Sequence, residues 1–242
     1  MFVSILRFFY VNFISKLINF INLKSKHIFI IDLYSKNQKL FSVLKQKSQS
    51  RYKKIQIDRN KLQLSRNASY VNLNDIKNIS KFLRKNKKKQ LVGICMGTRD
   101  NKEVIYFMKN LKNSKVIGTD ISPTILKFKN TIMWNFNIYN PKWKNKFDFV
   151  YTNSFDHCIN PLRTLKIWLK YLKKNSYIFI DHSTSHGKRR QAFTDPCAIE
   201  TELFPYLVLD WLKGDGAIID YIQPEGKRGE SKRNKILIIK KF

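Results

Sequence analysis

The chain has 242 residues, 47 Lys+Arg against 17 Asp+Glu and a formal net charge of +30, while 43% of it is hydrophobic and 14% aromatic. That apolar content excludes wholesale disorder, and the length suits one α/β domain with an N-terminal appendage. Three cysteines without paired spacing, Cys95, Cys158 and Cys197, support neither a secreted disulfide framework nor a CxxC zinc site, so a reducing, cytoplasmic compartment is expected.

The charge is uneven: residues 1–89 hold 21 of the 47 basic and 3 of the 17 acidic residues. Nucleic acid, anionic lipid and acidic ligands are the partner classes such a charge suggests. The excess of lysine over arginine, with abundant asparagine and isoleucine, also follows from an AT-rich genome alone.

Residues 1–72 read as the appendage and 73–242 as the main domain. Residues 1–23 sort as an amphipathic helix. Phe2, Leu6, Phe9, Phe13, Leu17 and Phe20 share one face, and Arg7, Asn12, Lys16 and Asn19 fall opposite. Arg7 and Lys16 interrupt it too early for a membrane span. It suits packing against the domain, or an anionic membrane surface. His27–Tyr34 reads as a short strand, and 35–70, polar and poorly periodic, as a linker. Residues 73–86 predict a helix with Asn74 as N-cap and Ile76, Ile79, Phe82 and Leu83 as its apolar stripe.

From Gln90 strands and helices alternate. Strands are expected at 91–97, 115–122, 131–136, 147–154, 176–183, 217–224 and 234–241. Helices are expected at 99–111, 161–174 and within 199–213, with a short helical piece at 123–129. Near-continuous apolar strands separated by helices imply a parallel sheet covered on both faces. Ligands of such sheets bind beyond the carboxyl ends of the strands, so the residues after each strand carry the functional reading.

Gly97-Thr98-Arg99-Asp100 follows the first strand of this series. Asp120 ends the second, 23 residues after Gly97, the spacing of a ribose-binding carboxylate. Asn135 and Phe136, with Asn137, follow the third and suit a purine ring. Asn153, Ser154, Asp156 and His157 follow the fourth. Asp181, His182, Ser183 and His186 follow the fifth. Residues 227–235 read as a hairpin tip, and 188–196 as a substrate lid or a plain surface loop.

VGICMGTRD, VIGTDISP and FDFVYTNSFDHC, followed by IIDYIQP and KILIIKK, resemble the motifs and closing strands of class I S-adenosylmethionine-dependent methyltransferases. The likeness covers about residues 73–242. It implies a Rossmann-like, seven-stranded, mostly parallel sheet with helices on both faces and a closing antiparallel pair. The family's first motif reads acidic-x-Gly-x-Gly-x-Gly. Here Gly93 takes the acidic position, Cys95 the first glycine, Gly97 the second and Arg99 the third, so only Gly97 is kept.

The resemblance implies S-adenosylmethionine as cofactor. Gly97 gives close backbone approach, Asp120 holds the ribose, Asn135 and Phe136 face the adenine, and Asn153 and Ser154 lie near the methyl donor. Arg99 or Asp100 takes the methionine end. His157, oriented or replaced by Asp156, is the first candidate base, followed by His182, Asp181 and His186. No metal is required, and a divalent cation between Asp156 and Asp181 is the one metal arrangement considered. A small molecule, sugar or lipid-linked glycan is the leading acceptor. RNA held by the basic front third, a non-catalytic binding protein and, less so, an NAD-dependent oxidoreductase are the alternatives.

Overall fold

A computed structural model describes residues 41–44, 48–66, 70–86, 90–187, 191–224, 227–228 and 231–242. The amphipathic segment 1–23 and the expected strand at 27–34 lie outside the described residues. The compact unit considered below runs from Phe41 to Phe242.

Its elements in chain order are β1 (Phe41–Val43), α1 (Gln49–Ser65), α2 (Leu73–Asn86), β2 (Val92–Met96), α3 (Lys102–Asn110), β3 (Lys115–Asp120), β4 (Thr131–Met133), β5 (Phe147–Thr152), α4 (Pro161–Tyr171), β6 (Leu172–Ser183), β7 (Cys197–Ile199), α5 (Phe204–Leu212), β8 (Gly216–Ile222), β9 (Lys227–Arg228) and β10 (Ser231–Lys241). The main sheet runs β4-β3-β2-β5-β6-β10-β8, with β9 paired to β10 off this path. β4 through β6 pair in parallel, and β10 lies antiparallel to both β6 and β8. The expected seven-stranded, mostly parallel sheet with its closing antiparallel pair is therefore present. β1 and β7 form a separate two-stranded ribbon that the sequence reading does not anticipate.

Burial explains why the central strands are so apolar. Every residue of β5 is buried, as are the last four of β2. Ile76, Ile79 and Leu83 of α2 and Phe107 of α3 pack in one core with Phe149, Tyr151 and Phe179 of the sheet. Elsewhere Phe155 meets Trp168 of α4 and Phe204 and Trp211 of α5, with ring centroids 5.4–6.4 Å apart. Among the described residues no helix is long and apolar enough to cross a membrane.

Four expectations need correction. Residues 49–65 are a helix, not a linker, and they belong to the compact unit. α2 is capped by Asn72, whose Oδ1 accepts from Asn74 N at 2.8 Å, so Asn74 is inside the helix. α4 stops at Tyr171 and the chain enters β6 directly, with Asn175 at φ 56°, where a helix to Lys174 was expected. β4 ends at Met133, because Trp134 onward turns across the sheet end.

The glycine at position 93 has a packing cause. Gly93 of β2 pairs with Phe149 of β5, and a Cβ at Gly93 would lie 2.1–2.3 Å from the Phe149 ring. The aromatic ring takes the room a side chain would need. Gly93→Ala should therefore lower stability by about 1–3 kcal/mol through overpacking. Gly93→Asp should cost more because it also buries a carboxylate. Urea midpoints of the three proteins check this.

Candidate functional site

The order of the sheet reverses between β2 and β5, the position at which open α/β sheets hold ligands. A cavity of about 640 Å³ opens there, within the usual range for cofactor and small-molecule sites. Gly97, Arg99, Asp100, Asp120, Asn135, Phe136, Asn153, Ser154, Asp156 and His157 all line it.

The β2 turn is built for close approach. Gly97 has φ 77°, and a Cβ there would sit 2.8 Å from Ser154 Cβ and 3.3 Å from the Phe136 ring. Gly97 N and Thr98 N both donate to Thr119 O, at 2.8 and 2.9 Å, which curls the chain over the end of β3. Asn101, also left-handed at φ 61°, then leads into α3. Asparagine tolerates that conformation, so it serves here where glycine commonly does.

At the first turn of α3 lies Glu103, which the sequence reading passes over. It is 5% exposed. Thr98 Oγ1 donates to its carboxylate, and Asn153 Nδ2 donates to Oε1 at 3.3 Å. Burial and then the Asp100 charge push its carboxyl up to about 7, against the opposing Thr98 hydrogen bond. Arg99 stands beside this pair and stacks over the Tyr70 ring at 5.0 Å.

Asp120 ends β3 and is 5% exposed. Its Oδ1 accepts from Ser122 N and Asn60 Nδ2, each at 2.7 Å. Both bonds go to one oxygen, which leaves Oδ2 for a ligand. Burial raises its carboxyl to about 6 despite these bonds. Phe136 packs edge-on against Trp168, at 5.6 Å, and holds one wall. Asn137 braces the opposite turn: its Oδ1 accepts from Ile159 N at 3.1 Å and Thr164 Oγ1 at 3.0 Å.

The roof is α1. Tyr52, Gln56 and Asn60 recur every four residues, so they share one helix face, and all three are buried. Tyr52 OH donates to His157 O at 2.7 Å, Gln56 to Thr194 O, Arg59 to Asp195 and Asn60 to Asp120. The helix thus grips three separate pieces of the cavity rim. The described part of the 188–196 loop carries Asp195 into the cavity, which makes it more than plain surface.

His182 does not line the cavity. It is 3% exposed, stacked on Phe204 at 4.2 Å, and its Nε2 lies 3.1 Å from Ile199 O. It meets His186, which does line the cavity and whose Nδ1 is 3.3 Å from its own Nδ1. Asp181 is fully buried in β6 and is not among the lining residues either, so it is not placed to share a cation with Asp156 in the cavity.

No family model and no curated protein matches the sequence. Solved structures do match. The Burkholderia thailandensis 1,6-didemethyltoxoflavin N1-methyltransferase, with its substrate and S-adenosylhomocysteine bound, aligns at TM-score 0.59 and 10% identity over 82% of this chain and 92% of its own. A Haloferax volcanii methyltransferase in complex with the Trm112 activator aligns at TM-score 0.53 and 12% identity, over 78% and 96%. The methyltransferase domain of citrinin polyketide synthase aligns at 0.51 and 14%, over 68% and 51%. The chain has the class I methyltransferase fold. On that fold Gly97 and Asp120 stand at the ends of β2 and β3, and Gly93 lies within β2.

The two raised carboxyls make a pH prediction. The folded protein holds protons on them that the unfolded chain has already lost. Their contribution to stability is therefore full below about pH 4 and is lost as pH rises through about 6 for Asp120 and about 7 for Glu103. Glu103→Gln keeps the side-chain shape and removes the titration. Between about pH 5 and about pH 8 the wild type should lose roughly 2–3 kcal/mol more than this variant, read from urea midpoints at each pH.

Proposed function

We propose that the protein is an S-adenosylmethionine-dependent methyltransferase acting on a small-molecule acceptor. The observation that carries this reading is the convergence of every expected cofactor residue on one cavity at the sheet's switch point. The residues fit the cofactor. Gly97 leaves room where a Cβ would clash, Asp120 offers Oδ2 to vicinal hydroxyls, and buried Glu103 with half-buried Asp100 gives an acidic pair matched to an α-ammonium group. A buried carboxyl with a raised proton affinity is one that gains from a bound cation.

Bound S-adenosylmethionine supplies an electrophilic methyl group on a sulfonium. The chain supplies placement: Asn153 and Ser154 hold the turn beside Gly97, and α1 closes the cavity over the reacting atoms. Alignment of this kind lowers a displacement barrier substantially. An acceptor hydroxyl or protonated amine must also lose a proton. His157 lines the cavity with Nε2 3.4 Å from Asp195 Oδ1 and 3.8 Å from Asp156 Oδ1. The two carboxylates stand where they can orient the ring to accept that proton.

Electrostatics favours a small acceptor over RNA. Asp100, Glu103, Asp120, Asp156 and Asp195 all line the cavity, against the arginines Arg59 and Arg99. A protein of net charge +30 has collected acids here, and a phosphate chain would meet them unfavourably. A sugar or lipid-linked glycan without phosphate at the reacting end remains compatible.

Calorimetry with S-adenosylmethionine tests the reading. The wild type should bind one equivalent. Asp120→Ala should bind about 10- to 100-fold more weakly, the loss of charge-assisted bonds to the ribose. Affinity should rise as pH increases through about 7, as Glu103 becomes anionic. Absence of binding by the folded wild type would refute the proposal.

A further inference from the structure

The acceptor end holds more ligand chemistry than one base requires. Asp156, His157, His186 and Asp195 meet there. One ligand atom from each of Asp156, His157 and Asp195 lies within 4.8 Å of the others. His157 Nε2 stands 3.4 Å from Asp195 Oδ1 and 3.8 Å from Asp156 Oδ1, and His186 Nε2 stands 3.7 Å from Asp156 Oδ2. These gaps are long for direct hydrogen bonds. They suit donors around a common ion at about 2.0–2.2 Å from each, slightly relaxed.

The two inner histidines set a tautomer. Ile199 O only accepts, so His182 Nε2 carries a hydrogen toward it, at 3.1 Å. In the neutral ring His182 Nδ1 is then the acceptor, and His186 Nδ1, 3.3 Å away, must donate to it. That leaves His186 Nε2 as the lone-pair nitrogen, and it faces the Asp156 carboxylate. A lone pair opposite an anion is unfavourable, and either a second proton on the ring or a cation between the two groups relieves it; a bound ion does so for both histidines and both carboxylates at once. A histidine whose far N–H is fixed by a second group is also the usual arrangement of a metal ligand. Independently, Asp156 Oδ1 is buried without a hydrogen-bond partner, a costly condition for a carboxylate oxygen.

We propose that Asp156, His157, His186 and Asp195 bind one divalent transition-metal ion. Two imidazoles with two carboxylates suit the zinc, cobalt and iron(II) class and disfavour magnesium or calcium, which prefer oxygen sets. Arg59 fits as an outer partner. It donates to Asp195 Oδ1, the oxygen that stands 3.4 Å from His157 Nε2, while Oδ2 accepts from Thr194 Oγ1 at 3.1 Å. The site shares its cavity with the cofactor reading but does not rest on it. With the ion bound, His157 is a ligand. The ion would lower the pKa of an acceptor oxygen or nitrogen bound to it, so that this group gives its proton to solvent and no side-chain base is needed.

The test uses the full chain, stripped with chelator and titrated with Co²⁺, followed by visible absorption and calorimetry. One ion per chain with ligand-field bands is expected. His157→Ala and His186→Ala should each weaken binding about 100-fold or more. His182→Phe, which keeps a ring on Phe204 but removes the acceptor for His186, should weaken it about 10-fold or more. Unchanged urea midpoints separate these effects from misfolding, and Asp156→Asn gives a nearly isosteric check. Asp120→Asn, whose amide oxygen still accepts from Asn60 and Ser122, should bind cobalt as the wild type does. Lack of stoichiometric cobalt binding, or wild-type affinity in both histidine-to-alanine variants, overturns the proposal. A chain that binds S-adenosylmethionine but not cobalt refutes the ion site alone, and one that binds cobalt but not S-adenosylmethionine refutes the cofactor reading alone.

Discussion

The hydrogen bond from Asn60 to Asp120 joins the roof of the cavity to its floor. Asp120 is fixed by the end of β3, and Asn60 by a helix more than fifty residues earlier in the chain. Without this bond Asp120 would keep only its local turn contact with Ser122. With it, α1 is registered over the cavity, and its neighbours Tyr52, Gln56 and Arg59 fall onto the turns that carry His157, Thr194 and Asp195. A polar helix face with little apolar area can be held this way because each bond is shielded from water.

The same constraint explains the charge pattern. Carboxyls buried under a roof are costly when ionised, and Asp120 and Glu103 respond by holding protons longer. Such a site is poised for positive ligands. A sulfonium cofactor with an ammonium group answers the half of the cavity near β2 and β3. A metal ion answers the other half, where Asp156 and Asp195 stand with two imidazoles. The large positive charge of the chain as a whole therefore says little about what enters the cavity.

The strand–helix alternation from Gln90 onward was legible because its strands are buried on both faces and read as continuous apolar runs. The residues at strand ends, Gly97, Asp120, Asn153 and His157 among them, followed from that topology. α1 was not legible. Its buried positions are Tyr52, Gln56 and Asn60, and a helix that buries polar groups shows no apolar stripe; only their four-residue spacing hinted at it. Glu103 was hidden by the departure of the first motif, where Phe149 displaces any side chain from Gly93. His182 looked like a site residue because it follows a strand. Its imidazole instead faces Ile199 and Phe204, so its effect on the cavity passes through His186. Asp195 could not be placed from sequence because its position depends on Arg59 and the roof.

The most direct measurement is a crystal structure of the protein with S-adenosylhomocysteine. The account predicts the ribose hydroxyls on Asp120 Oδ2, the adenine against Phe136, the backbone of Gly97 in contact with the ligand, and the ammonium facing Glu103 and Asp100. A ligand lying outside the cavity beneath α1, or one whose ribose avoids Asp120, would contradict it.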